Sequence, residues 1–392
     1  MKKLITTCWI LCLYIHTSAQ NQPFAIWEDP SVSAYRFVQL DAATGVKTNM
    51  NVIPAITGFV SGGTHTYDPH LNRYHFAGQV NAARHFFTIE ASTGNVFYSP
   101  QMNDVVVGIE YNCADSMLYG LRVNGSVYDV VTIDPVTAVT TFVGNVLFVT
   151  AYVGSSFSLD FVNGLYSFVA LEISGYKLKS MNLSTGLIVH DNPFPGNLPG
   201  HVYSCADSAV FALGEVNNKY VIARINLAAG SFSVVDTLVN VTPGYYLESS
   251  SVNSQGEYTY RGFDGGNNPA LITVDLSTGT VIHNSPTSDN AVGFAEPGCC
   301  ADTSGGSYME EGLFFNELNV FPVPAAEIVT ITCTQVMKDL VIYDINGGMR
   351  LNISSINENM YQLNVSGLSA GLYLILSSTS VGKFRNKLLV VR

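Results

Sequence analysis

Apolar and polar residues alternate along most of the chain in short runs separated by Gly, Asn, Asp, Pro and Ser. A period of two predicts strands with one face buried, joined by tight turns. One turn phrase recurs six times: Leu40-Asp41-Ala-Ala-Thr-Gly45, Ile89-Glu90-Ala-Ser-Thr-Gly94, Ile133-Asp134-Pro-Val-Thr-Ala138, Met181-Asn182-Leu-Ser-Thr-Gly186, Ile225-Asn226-Leu-Ala-Ala-Gly230 and Val274-Asp275-Leu-Ser-Thr-Gly279. Alternating residues such as 84–89 precede the phrase and a second run such as 96–98 follows it, so it reads as a hairpin. The Asp or Asn side chain bonds the turn backbone and the closing Gly supplies positive φ. The acids Asp41, Glu90, Asp134 and Asp275 are therefore expected to form turns, not to carry chemistry. A second hairpin lies upstream of each, as in Tyr67-Asp68-Pro69 to Phe76 and Tyr111-Asn112 to Leu121, which makes four strands per repeat.

The phrases are spaced by 49, 44, 48, 44 and 49 residues. Four strands in such a repeat fit a β-propeller blade. Alternate phrases lie 92 or 93 apart, Pro100, Pro193 and Pro286 recur at 93, and Cys113-Ala-Asp-Ser116 and Cys205-Ala-Asp-Ser208 at 92, with Cys300-Ala-Asp-Thr303 after 95. The expected architecture is all-β: a six-bladed β-propeller with four-stranded blades, built as three copies of a blade pair. The segment 23–50 lacks an innermost strand, and Ala291-Val-Gly-Phe294 can supply it, closing the ring without a free edge. This pattern resembles the quinoprotein-like and lactonase-like propeller superfamily at the level of fold, over residues 23–297.

The N-terminus carries an address. Lys2 and Lys3 precede an uncharged apolar run, Leu4 to Ile15, followed by Thr17-Ser18-Ala19. That is the order of a secretory signal peptide over 1–19, too short to span a bilayer, with Gln20 as the mature start. The uncharged stretch 135–159 is studded with Gly, Thr and Ser and is expected to form strands, leaving no transmembrane span in the mature chain.

Charge sharpens the division of the chain. Of 18 Lys+Arg and 30 Asp+Glu, residues 316–392 hold six and five, so the acidity belongs to the preceding region. A net charge of -12 argues against a nucleic-acid partner, because phosphate would repel it. The expected organisation is a signal peptide at 1–19, the propeller at 20–297, a turn-rich linker at 298–315 and a terminal module at 316–392.

The terminal module reads as a small Ig-like β-sandwich of short alternating strands. Its ordered motifs are Pro322-Val-Pro324, Tyr343-Asp344-Ile-Asn-Gly347, Leu368-Ser-Ala-Gly371-Leu-Tyr373 and a basic-apolar last strand, 387–392. These resemble the C-terminal sorting domain of the type IX secretion system of Bacteroidota, type A; Val323 departs from the Asn usual there. The resemblance implies that the type IX machinery is a partner, and that the chain passes through the periplasm to be secreted or attached to the outer-membrane surface, with removal of the module.

Candidate chemistry is sparse. His65, Glu110, His201 and Glu248 are polar residues on the strands expected to line the propeller channel, a set that suits a ligand, a metal such as calcium, or acid–base work. The other reading of these four is ordinary wet channel wall. Ser116, Ser208 and Thr237 stand in Asp-Ser/Thr-apolar triplets that resemble Bacteroidota O-glycosylation acceptors. Cys113 and Cys205 occupy equivalent turns two blades apart, beyond disulfide reach of each other. Cys299 and Cys300 can bridge to one another or pair elsewhere, and Cys333 has no assigned partner. The sequence contains no G-x-S-x-G, H-E-x-x-H, P-loop or dinucleotide fingerprint. The leading expectation is a propeller that binds a ligand or partner without catalysis, and the alternative is a metal-assisted lactonase-like hydrolase with its site at the channel mouth.

Overall fold

The computed structural model describes residues 22–125, 127–196, 198–243, 250–287, 291–296, 300, 314–315, 318–344, 348–379 and 383–391. The expected signal peptide, most of the expected linker, Glu248, Cys299 and Gly347 lie outside the described residues. Two compact units emerge, Met1–Ala301 and Asp302–Arg392. Every described element is a β-strand.

The first unit contains six antiparallel sheets. Five follow the chain in order, and their innermost strands are His65–Asp68, Val105–Asn112, Ser158–Asp160, Val202–Ser204 and Ser250–Val252. The sixth joins the two ends of the unit: Ala291–Ala295 pairs antiparallel with Phe24–Asp29, which continues to Ala34–Leu40 and Lys47–Val52. The closing strand expected from 291–294 thus occupies the vacant innermost place. The six innermost strands neighbour one another in sequence, and Ala291–Ala295 returns to His65–Asp68.

Burial follows from this arrangement. The second strands, such as Arg73–Val80 and Leu165–Glu172, are covered on both faces by adjoining sheets, and their middle five residues are buried without alternation. The outermost strands keep the period of two, as in Leu187–Pro193. Even the buried polar residues repeat. His75 meets Thr88 at 3.1 Å, Ser167 meets Ser180 at 2.9 Å and Thr259 meets Thr273 at 3.1 Å, each pair bridging the second and third strands of a sheet. Within each pair the two side chains bond each other between the second and third strands.

The hairpin phrase works as its chemistry requires. Asp41 Oδ1 accepts from the Ala43 and Thr44 amides at 2.9 and 3.2 Å, and Asp275 Oδ1 from the Ser277 amide at 2.8 Å. Asn182 and Asn226 do the same for Ser184 and Ala229 at 3.1 and 3.0 Å. Glu90, one methylene longer, accepts from the Thr93 hydroxyl. All six are turn formers.

The threefold repeat is anchored by a second device. Gly108, Gly200 and Gly293 all have positive φ, and their carbonyls accept from the hydroxyls of Tyr166, Tyr258 and Tyr74 at 2.6, 3.0 and 2.5 Å. At Gly108 a Cβ would lie 2.2 Å from Phe157 Cδ1, so the close approach and the φ both require glycine.

Cys300 bridges Cys113, with Cα atoms 5.4 Å apart, so of the two options for Cys300 the vicinal bond is not the one formed. Cys205 is also disulfide-bonded, and Cys333 is a buried free thiol.

The second unit has its own core of Leu318, Val329, Ile331, Leu340, Ile342, Ile375, Leu388 and neighbours. Its strands hydrogen-bond into one six-stranded sheet, not two separate ones. The cause is the 17-residue strand Ile328–Asp344: its first half pairs with Leu318–Phe321, its second with Gly371–Ser378, and Met349–Asn364 pairs along both halves.

Candidate functional site

The innermost strands surround a cavity of about 180 Å³ lined from all six sheets. Three of the four residues expected to line a channel reach it: His65, Glu110 and His201. Glu248 lies outside the described residues. Glu296, just past the closing strand, also lines the cavity and was not among the expected residues. Its signal was present in the sequence, because it continues the alternation of Val292 and Phe294 two positions beyond the recognised strand.

His65 begins its strand, and its Nε2 lies 3.1 Å from the Phe294 carbonyl, while Nδ1 is buried with no partner. His201 precedes Val202–Ser204 and is fixed through its backbone, whose amide donates to the Ser155 carbonyl at 2.9 Å. The residue is 5% exposed, and neither ring nitrogen has a hydrogen-bond partner of normal geometry. Glu296 Oε1 accepts from the Ser251 hydroxyl at 2.6 Å, whereas Oε2 has no partner. The Ser158 hydroxyl on the opposite wall is likewise buried and unpartnered. Five polar atoms from four sheets thus face one cavity unsatisfied, and burial in that state costs roughly 1–3 kcal/mol each.

These residues also depart from the repeat. One place after the anchoring glycines stand Ile109, His201 and Phe294; two places after, Glu110, Val202 and Ala295; three places after, Tyr111, Tyr203 and Glu296. On the alternate strands, opposite Phe76, Phe168 and Tyr260, stand His65, Phe157 and Ser250. Each ionisable residue occupies a position that at least one other repeat fills with an apolar or aromatic side chain. The fold therefore does not require them.

Burial governs their protonation. It holds His65 and His201 neutral by lowering both to about 4, opposed only by weak pulls from the Phe294 and Leu198 backbone. It raises Glu110 to about 8 and Glu296 to about 8, the Ser251 hydrogen bond opposing and the Glu257 charge adding to the latter. Between the ordinary carboxyl value of 4.5 and 8, the folded state holds protons that the unfolded chain has released, so stability falls as pH rises. The histidines act with the opposite sign, and only as pH drops from 6.5 towards 4. Above pH 6.5 the carboxyls act alone. The melting midpoint should therefore decline from pH 6.5 to 8, with about 1 kcal/mol or more lost per carboxyl. Thermal unfolding across this range checks it; Glu110→Gln with Glu296→Gln should flatten the decline, and a midpoint that rises would contradict the assignment.

Among the described residues no group of three or more His, Cys, Asp or Glu is placed to hold a metal ion. Of the expected glycan acceptors, Ser116 and Ser208 are exposed in turns with positive φ, and Thr237 is half-buried at the end of an outermost strand.

In the second unit the motif residues do structural work. Asp344 accepts from the Gly348 amide at 2.9 Å and from Arg350 Nε at 2.7 Å. The Tyr373 hydroxyl donates to the Ser369 carbonyl at 2.8 Å, Leu368 packs on the core, and Gly371 begins the strand that follows. Pro322 and Pro324 lie exposed between Leu318–Phe321 and Ile328–Asp344.

A closed set of antiparallel sheets around a polar cavity, followed by a separate β-unit with its own core, defines the class: a β-propeller protein with an appended module. Residues 319–391 match the family described as "Secretion system C-terminal sorting domain", and this module is a sorting domain of that kind. No curated protein matches the chain. Among solved structures it is similar to TolB from Acinetobacter baumannii, at 12% identity and TM-score 0.54, covering 74% of this chain and 70% of that one. A chain of a nidogen/laminin complex aligns at 11% identity and TM-score 0.49, over 71% of this chain and 99% of that one. At 12% identity the likeness to TolB speaks for the fold alone. No described helix is long and apolar enough to cross a membrane.

Proposed function

We propose that this chain is a six-bladed β-propeller exported by the type IX secretion system, secreted or held at the cell surface, that binds a small polar ligand in its central cavity without turning it over. The observation that carries the binding reading is the set of five buried, unpartnered polar atoms facing one cavity. Six sheets whose innermost strands neighbour one another in a closed order support the blade count. The sorting domain supports the route, with residues 316–392 as the export module, and its proposed fold is an Ig-like sandwich whose two layers share the long strand Ile328–Asp344. Pro322, Pro324, Tyr343, Asp344, Gly347, Leu368, Gly371 and Tyr373 are the residues proposed to present the sorting signal.

The alternative is a lactonase-like hydrolase in which the half-buried Glu110 and the buried Glu296 hold calcium or exchange a proton. The test is turnover of chromogenic lactones and phosphoesters by the purified chain, with and without added calcium. No turnover above background is expected. Turnover abolished by Glu110→Gln or Glu296→Gln would overturn the non-catalytic reading and establish the alternative.

A further inference from the structure

We infer that the cavity takes a small organic cation, an ammonium group drawn in by the carboxyls of Glu110 and Glu296 on its wall. This rests on the cavity being a ligand site. Among the described residues no Lys or Arg lines it, so the carboxyls of Glu110 and Glu296 face the cavity without a basic side chain beside them. Several basic side chains elsewhere in this unit are committed within their own sheets: Lys179 to Glu172 and Asp191, Arg36 to Asp29, and Arg122 to Asp129. A cation from solution would supply the missing charge, whereas a phosphate or carboxylate ligand would meet only repulsion once the glutamates ionise.

The hydrogen-bonding inventory agrees. An ammonium group offers up to three donors. Glu296 Oε2 and a neutral imidazole nitrogen of His201 are acceptors without partners, both on residues more than nine-tenths buried, and Glu110 supplies further acceptors. Phe157 and Phe294 add aromatic walls suited to an alkyl stem or to a cation over a ring face. A bare metal ion fits less well, because the described His and Glu residues do not come together as three ligands. The broken repeat points the same way: Val202 and Ala295 stand where Glu110 does, so the carboxyl is a departure that the fold does not need.

The experiment is a calorimetric titration of the purified chain, carrying both units, at pH 8.5. The probes are ethylamine, ethanolamine and choline chloride, with ethanol and ethylene glycol as neutral counterparts and calcium chloride as the metal. At least one ammonium probe should bind about ten-fold or more tightly than its neutral counterpart, the scale of one charge-assisted hydrogen bond. Glu110→Gln with Glu296→Gln should remove that preference; Glu296→Gln alone carries the comparison should the double variant fail to fold. Equal binding of neutral and ammonium probes, lost in His201→Ala, would overturn the cation while leaving the cavity as a ligand site. Binding of calcium alone would overturn it in favour of a metal. Absence of binding by every probe would count against both readings.

Discussion

Removing the Cys113–Cys300 disulfide, by Cys113→Ala with Cys300→Ala, is expected to lower the melting midpoint of the propeller unit by on the order of 10 °C. The argument begins with the loop the bond closes. The two cysteines are 187 residues apart in sequence, so the cross-link restricts most of the unfolded unit. In the chain-entropy account a loop of that size is worth about 5 kcal/mol, and native disulfides removed from small domains typically cost 2–5 kcal/mol. Position adds to length. Ala291–Ala295 holds the ring closed through only three Cα pairings with Phe24–Asp29, with an irregularity between Phe24 and Ile26. Cys300 follows that strand directly and ties it to the turn after Val105–Asn112, in another sheet. Loss of the bond should therefore loosen the seam first. Scanning calorimetry of the variant against the parent chain checks this; a midpoint within two degrees of the parent would mean that the ring is secured without this bond.

How much of this could be read beforehand depended on whether a feature repeats. The six hairpin phrases announced themselves because each turn needs an acceptor side chain and a residue tolerant of positive φ, and both requirements leave residues at fixed spacing. The closing strand at 291–295 was legible because the N-terminal segment lacked one. The anchoring glycines were not recognised, although Gly108, Gly200 and Gly293 recur at 92 and 93, because a lone glycine in a strand has many explanations. The Cys113–Cys300 bond was hidden for a related reason: equivalence of Cys113, Cys205 and Cys300 in the repeat says which turns they occupy, and pairing depends on where the chain goes after closure. The cavity residues were hardest. His65, Glu110, His201 and Glu296 sit at four different repeat positions, so no period marks them, and only the closed ring brings them to one space. In the second unit the strand pattern was legible, whereas the 17-residue strand that joins everything into one sheet was not, since period alone does not say where a strand bends without ending.

Deleting residues 316–392 is expected to abolish delivery to the cell surface while leaving the propeller folded. The separation of the two outcomes follows from packing. The C-terminal core is drawn wholly from residues 318–390, and the clusters of the first unit are drawn from residues 24–300, so truncation opens no cavity in the propeller. The seam at Ala291–Ala295 and the bond to Cys113 both precede the cut. A sorting domain, in contrast, must be folded to present its motifs, and here those motifs hold the fold: Tyr373 closes a turn through Ser369, and Asp344 holds Arg350. Ile342→Asp, which places a charge at a fully buried position, should therefore reproduce the export defect of the deletion in the full-length chain. Immunoblots of surface, periplasmic and released fractions from a bacterium with type IX machinery read the result. Accumulation of a protease-resistant propeller inside the outer membrane is expected for both variants. Normal surface delivery of the truncated chain would show that export is directed from residues 20–315, and the role assigned to the module would fall.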